Sequence, residues 1–229
     1  MNWTAPVDIY CERVDPSFWA EPLNAVSNVA FILAALWAAF AAQSRGIKSP
    51  AIWLLIALAF CIGIGSFLFH TFAQTWAGFA DTVPIWSFVA AYVLTAIALI
   101  GGAPPSRIAI YVVIAVAIFT VVWLANDSGA DYSENVLPRP PSRFNGSEQY
   151  LPAVIAMLIF SAITMTKRHP IRYWFLSATV MFLISLAFRT FDMSVCANWR
   201  YGMHVMWHIL NGTMIALLLQ ALIRHTQRT

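Results

Sequence analysis

The chain reads as an all-α membrane protein, a bundle of seven transmembrane helices, and three observations predict it. Of 229 residues, 60% are hydrophobic and only 10% charged, whereas soluble domains carry roughly 25% charged residues. Apolar runs recur along the chain, each near the roughly 20 residues needed to cross a bilayer core as a helix. Short polar breaks separate them, such as Gln43-Ser44-Arg45-Gly46 and Gly101-Gly102-Ala103-Pro104-Pro105. Helices are the expected form because each satisfies its own backbone polar groups inside the bilayer.

The predicted spans cover, in order, about 24–42, 50–70, 79–100, 106–125, 148–166, 171–190 and 202–223. Residues 1–23 form a polar outer lead-in without the apolar stretch of a cleavable signal peptide, so the first span is expected to act as its own insertion signal. The one long connection, 126–147, is rich in Pro, Ser, Asp and Asn and reads as an exposed outer loop. No internal repeat divides the chain, and residues 1–229 are expected to form one membrane domain.

Seven spans put the termini on opposite sides, and charge orients them. One set of connections holds Arg45, Lys48, Arg107, Lys167, Arg168, Arg172, Arg224 and Arg228 and no acid. The other holds the remaining five basic residues and all ten acids. The positive-inside rule then sets the N-terminus outside and the C-terminus in the cytoplasm. That implies a plasma-membrane protein facing the periplasm or exterior in a prokaryote, or an ER/Golgi protein facing the lumen in a eukaryote. A net charge of +3 gives no reason to expect a nucleic-acid partner, and no protein partner is evident.

The same topology gathers chemistry. His70 ends the second span, His204 and His208 open the seventh, and Asp81 begins the third, so all four fall on the outer face. His204 and His208 are four apart and share a helix face, as do Ser66 and His70. Three neutral imidazoles with one open position are the ligand set of a catalytic Zn²⁺ site. The segment HVMWH lacks the glutamate of HExxH, so the general base is sought elsewhere, and Asp81 is the nearest candidate. A single membrane-helix histidine is often only a hydrogen-bonded packing residue, but several ionisable residues converging on one face mark a functional site. Haem fits poorly, since an i,i+4 pair does not hold opposite axial positions. Retinal has no lysine in a span, because Lys48 and Lys167 lie in loops. His169 and His225 sit beside arginines and read as solvated, Cys61 as packing, and Gly63 and Gly65 as points of close helix approach.

The segments YCE (10–12), EPLNAVSN (21–28), GIGSFLFH (63–70), Asp81 with Pro84, FRTFDMSVC (188–196) and HVMWHIL (204–210) resemble the alkaline ceramidase family. That family lies within a superfamily of seven-span hydrolases that includes adiponectin-receptor-type proteins. The resemblance implies Zn²⁺ on His70, His204 and His208, with Asp81 activating water and Ser66 stabilising the oxyanion. The implied reaction is hydrolysis of ceramide or another N-acyl lipid to a fatty acid and a long-chain amine; the alternative is a receptor-like or structural Zn²⁺-binding protein. It also implies a Ca²⁺ site in the lead-in. Asp8, Glu12, Asp15 and Glu21 supply four acids there, which otherwise read as a solvated acidic stretch. Ile9 stands where the family has an aspartate, and the two glutamates lie closer together by two residues. Cys11 and Cys196 both fall on the outer, oxidising side, and the resemblance pairs them as a disulfide.

Overall fold

The computed structural model describes residues 2–114, 117 and 144–227. It contains α1 (Pro22–Ser27), α2 (Val29–Ser44), α3 (Pro50–Phe72), α4 (Thr75–Leu99), α5 (Pro105–Ile114), α6 (Leu151–Thr166), α7 (Arg172–Phe191) and α8 (His204–Thr226). Six segments among the described residues are long and apolar enough to cross a membrane: Pro22–Ser44, Pro50–Phe72, Thr75–Leu99, Ser147–Thr166, Arg172–Phe191 and His204–Thr226. Each matches a predicted span to within a few residues. Of the expected fourth span, 106–125, the described residues show only α5, an apolar helix too short by itself to cross a bilayer, and most of the remainder lies outside the described residues. So does most of the 126–147 connection.

Local sequence explains the helix ends. Pro22 and Pro50 open α1 and α3, where a missing N–H costs nothing and the fixed φ is already helical. Ala73 closes α3 in the left-handed region, at φ 44°. Leu33, Leu36 and Phe40 are exposed on α2, which is where a membrane protein presents apolar side chains to lipid. Cys61 is exposed on α3 rather than packed.

The bundle core is made by α2, α3, α7 and α8, with α4 against α3 and α6 against α7. At Gly65 a β-carbon would lie only 2.0 Å from the carbonyl oxygen of Ala80. Pro84, inside α4, lacks the N–H that would otherwise engage that carbonyl. The α3 and α4 backbones therefore touch immediately beside Ser66 and Asp81.

The lead-in folds across the same end of the bundle. Val7 N–H donates to the Ala73 carbonyl at 2.8 Å and Thr75 N–H to the Ala5 carbonyl at 3.0 Å, stitching the lead-in to the α3–α4 turn. Cys11 and Cys196 form a disulfide, with Cα atoms 5.5 Å apart across 185 residues of sequence. Gly202 has φ +63°, and a β-carbon there would meet the Asp192 carboxylate at 2.2 Å and Cys11 Cβ at 2.6 Å. Only glycine suits a left-handed position this crowded.

Candidate metal centre and active site

His70, His204 and His208 come together where α3 ends and α8 begins. All three are buried, and one ligand atom from each lies within 4.8 Å of the others. His204 is the first residue of α8 and His208 lies one turn on. Asp192 fixes that start: its Oδ1 accepts from the N–H of Met203 at 2.6 Å and of His204 at 2.8 Å. Its Oδ2 accepts from Cys11 N–H at 3.2 Å, tying the lead-in to the same point.

The partners of the rings decide which nitrogens face the centre. His70 Nδ1 lies 2.6 Å from Glu21 Oε2. Ser27 Oγ donates to the Asn24 carbonyl at 2.8 Å, so its lone pair receives His208 Nδ1–H at 2.7 Å. With both rings neutral, as metal ligation requires, these contacts put the proton on Nδ1 and leave the Nε2 lone pair for the centre. The two Nε2 atoms face each other at 3.1 Å. Opposed lone pairs at that distance suit a cation, and buried imidazoles oriented through Nδ1 are typical of bound zinc ligands. His204 is held by stacking on Tyr10, ring centroids 3.8 Å apart. The donor set fits a divalent metal.

Asp81, in the second turn of α4, lines a cavity of about 340 Å³ with Tyr10, Trp86, Tyr150 and Arg189. Its Oδ1 is buried without a hydrogen-bond partner among the described residues. Ser66, buried one turn before His70, lies beside that carboxylate. An apolar pocket lined by Phe31, Ile62, Phe88 and Trp207 adjoins this cavity, since Ile85 and Tyr150 border both.

The four lead-in acids do not assemble. Asp8 and Asp15 are exposed, and the Ser17 side chain, together with its N–H at 2.7 Å, lowers the Asp15 pKa. Glu12 caps α1, accepting from the N–H groups of Leu23 and Asn24, each at 2.8 Å. Burial pushes its pKa up. Glu21 divides its oxygens between His70 and Arg13, the latter at 2.5 Å. Burial alone would raise the Glu21 pKa, but bonds from His70, Arg13 and Asn24 hold it below the usual carboxylate range.

The Arg13 guanidinium also donates to the carbonyls of His70 (3.1 Å), Asp15 (3.2 Å) and Ser17 (3.4 Å). A buried positive side chain therefore stands among the oxygens that Ca²⁺ would need, and Ca²⁺ takes six to eight of them. The residues do not fit the expected calcium site; Glu21 serves His70 instead. The remaining histidines also differ from expectation. His225 Nε2 lies 2.9 Å from the Leu99 carbonyl, with the His169 ring 5.3 Å away.

Several participants escape a reading by residue type. Ser27 lies in the EPLNAVSN segment, and only its place beside His208 gives it a role. Tyr10, Arg13, Arg189 and Asp192 each engage at least one partner remote in sequence, and none has a spacing that announces it.

Fold and site together define a helical integral membrane protein with a buried three-histidine centre able to hold a metal ion. The chain belongs to the ceramidase family, whose model it matches over residues 2–229. Membership supports a membrane hydrolase acting on amides, with a lipid substrate. No curated protein matches this chain.

Proposed function

We propose that the protein is a zinc-dependent hydrolase that cleaves the amide of ceramide or a related N-acyl lipid to a fatty acid and a long-chain amine. The observation that carries this reading is the facing pair of His70 and His208 Nε2 atoms beside the cavity that Asp81 lines. His70, His204 and His208 would hold Zn²⁺, which when bound supplies a Lewis acid and lets water ionise near neutral pH.

Asp81 takes the proton of the attacking water and returns it to the departing amine nitrogen. Ser66 donates a hydrogen bond to the oxygen of the amide as it becomes negative. Glu21 and Ser27 hold the rings of His70 and His208 through Nδ1. The apolar pocket beside the cavity receives an acyl chain, and its position within the bundle suits a lipid entering from the bilayer. The segregation of acids from the basic connections supports a site on the non-cytoplasmic side.

A panel of N-acyl lipids incubated with purified protein and with Asp81→Asn tests the reading. Wild-type protein is expected to release fatty acid, and the variant to retain its zinc while losing turnover by about 10²–10⁴-fold. Full turnover in the variant would remove Asp81 from the chemistry, and no hydrolysis of any lipid by zinc-loaded wild-type protein would overturn the function.

A further inference from the structure

The two buried arginines of the active-site end differ in one respect. Arg13 is paired with Glu21, while Arg189, in the last turn of α7 and only 6% exposed, has no ion-pair partner among the described residues. Its Nη1 donates to the Tyr10 hydroxyl at 3.3 Å, and its Nε has no acceptor among the described residues. Its charge rests against the rings of Trp207 at 5.3 Å, Tyr150 at 5.5 Å and Tyr10 at 5.9 Å. Aromatic faces offset part of the cost of burying a guanidinium, but less than a carboxylate would. The Asp81 carboxylate shares a cavity with Arg189 without forming an ion pair with it, which leaves the guanidinium open to an anion that arrives from outside the chain.

The surroundings say where that anion sits. Arg189 lines the same cavity as Asp81, and the Tyr10 ring that touches it stacks on His204. The guanidinium is therefore one aromatic ring away from a candidate metal ligand. With the Asp81 carboxylate in the same cavity, a singly charged group is favoured over a doubly charged phosphate. Planar guanidinium donors match a planar carboxylate.

Building on the hydrolase reading above, we propose that Arg189 anchors a carboxylate subsite beside the scissile amide, making this a specificity-determining residue for acidic N-acyl amines such as N-acyl amino acids. The same chemistry has a second source, the fatty acid released by hydrolysis. The two are separable by experiment, because only the first produces a substrate preference.

Zinc-loaded wild-type protein, Arg189→Gln and Arg189→Lys are compared on N-palmitoylglycine and on its neutral counterpart N-palmitoylethanolamine. The wild type should favour the acid in kcat/KM by about ten- to a hundredfold, with the difference mainly in KM, as loss of a charged hydrogen bond implies. In Arg189→Gln that ratio should fall towards one, and Arg189→Lys should recover part of it. Direct binding of palmitate and N-palmitoylglycine to Asp81→Asn, with and without Arg189→Gln, supplies a readout independent of turnover. Loss of palmitate binding without any substrate preference would assign the subsite to the product and overturn the specificity role. Equal kcat/KM for the two lipids, together with carboxylate binding indifferent to Arg189→Gln, would overturn the subsite altogether. If neither lipid is hydrolysed yet N-palmitoylglycine binds in an Arg189-dependent way, the hydrolase reading fails and the subsite stands. Melting temperature and zinc content of each variant identify any that misfold.

Discussion

Replacing Glu21 by glutamine should weaken zinc binding although all three histidines stay in place. The carboxylate lies 2.6 Å from His70 Nδ1, so it orients the ring and makes Nε2 a stronger donor. Loss of such an outer partner typically costs 10–100-fold in metal affinity, which is about 1.4–2.8 kcal/mol. Ser27→Ala provides the internal scale. The hydroxyl makes a neutral bond to His208 at 2.7 Å, worth about 1 kcal/mol, or roughly fivefold in affinity.

The predicted order is therefore wild type, then Ser27→Ala about fivefold weaker, then Glu21→Gln about 10–100-fold weaker than wild type. Competition between detergent-solubilised protein and a fluorescent zinc chelator measures it. Because Glu21 also pairs with Arg13, the measurement is repeated in Arg13→Met, where the glutamine leaves no buried charge unpaired. Equal zinc affinity in Glu21→Gln and wild type would refute the assignment of Glu21 as the orienting group of His70.

Other expectations follow from the same geometry. Arg13→Met should lower the melting temperature by an amount equivalent to about 3–5 kcal/mol, since it leaves the buried Glu21 carboxylate without its cation; added Ca²⁺ should leave wild-type melting unchanged, and a clear rise with calcium would restore the calcium site. Gly65→Val should force α3 away from Ala80, and zinc affinity and turnover should both fall in purified protein; wild-type behaviour would show that the contact is not needed. Cys11→Ser should destabilise by at most about 5 kcal/mol, the loop-closure limit for 185 residues. Wild-type protein labelled without reductant should modify Cys61 alone, and labelling of all three cysteines would contradict the disulfide.

Much of this was legible because membrane helices obey a simple code. Length and apolarity marked each of the six spans found among the described residues. Direction reversal at every connection then brought His70, His204, His208 and Asp81 to one end without knowledge of any contact. The i,i+4 spacings of His204–His208 and Ser66–His70 held because they lie within single helices. The lead-in was not legible in the same way. Four acids in a short stretch suggested calcium, but a carboxylate's role depends on what meets it. Glu21 meets His70, 49 residues on, while Arg13 supplies the positive charge from within the chain. Arg189 and Asp192 occupy one helix end in sequence, yet one faces the cavity and the other caps α8. Periodicity does not reveal that difference, since it reports burial and not partners.

The most direct test is the metal itself, read together with turnover. Elemental analysis of purified protein should find one zinc per chain, bound by wild type and lost in His208→Ala. Stripping the zinc should abolish amide hydrolysis, and adding it back should restore hydrolysis to wild type but not to His208→Ala. Full hydrolysis by metal-free protein, or stoichiometric zinc in His208→Ala, would contradict a three-histidine zinc hydrolase.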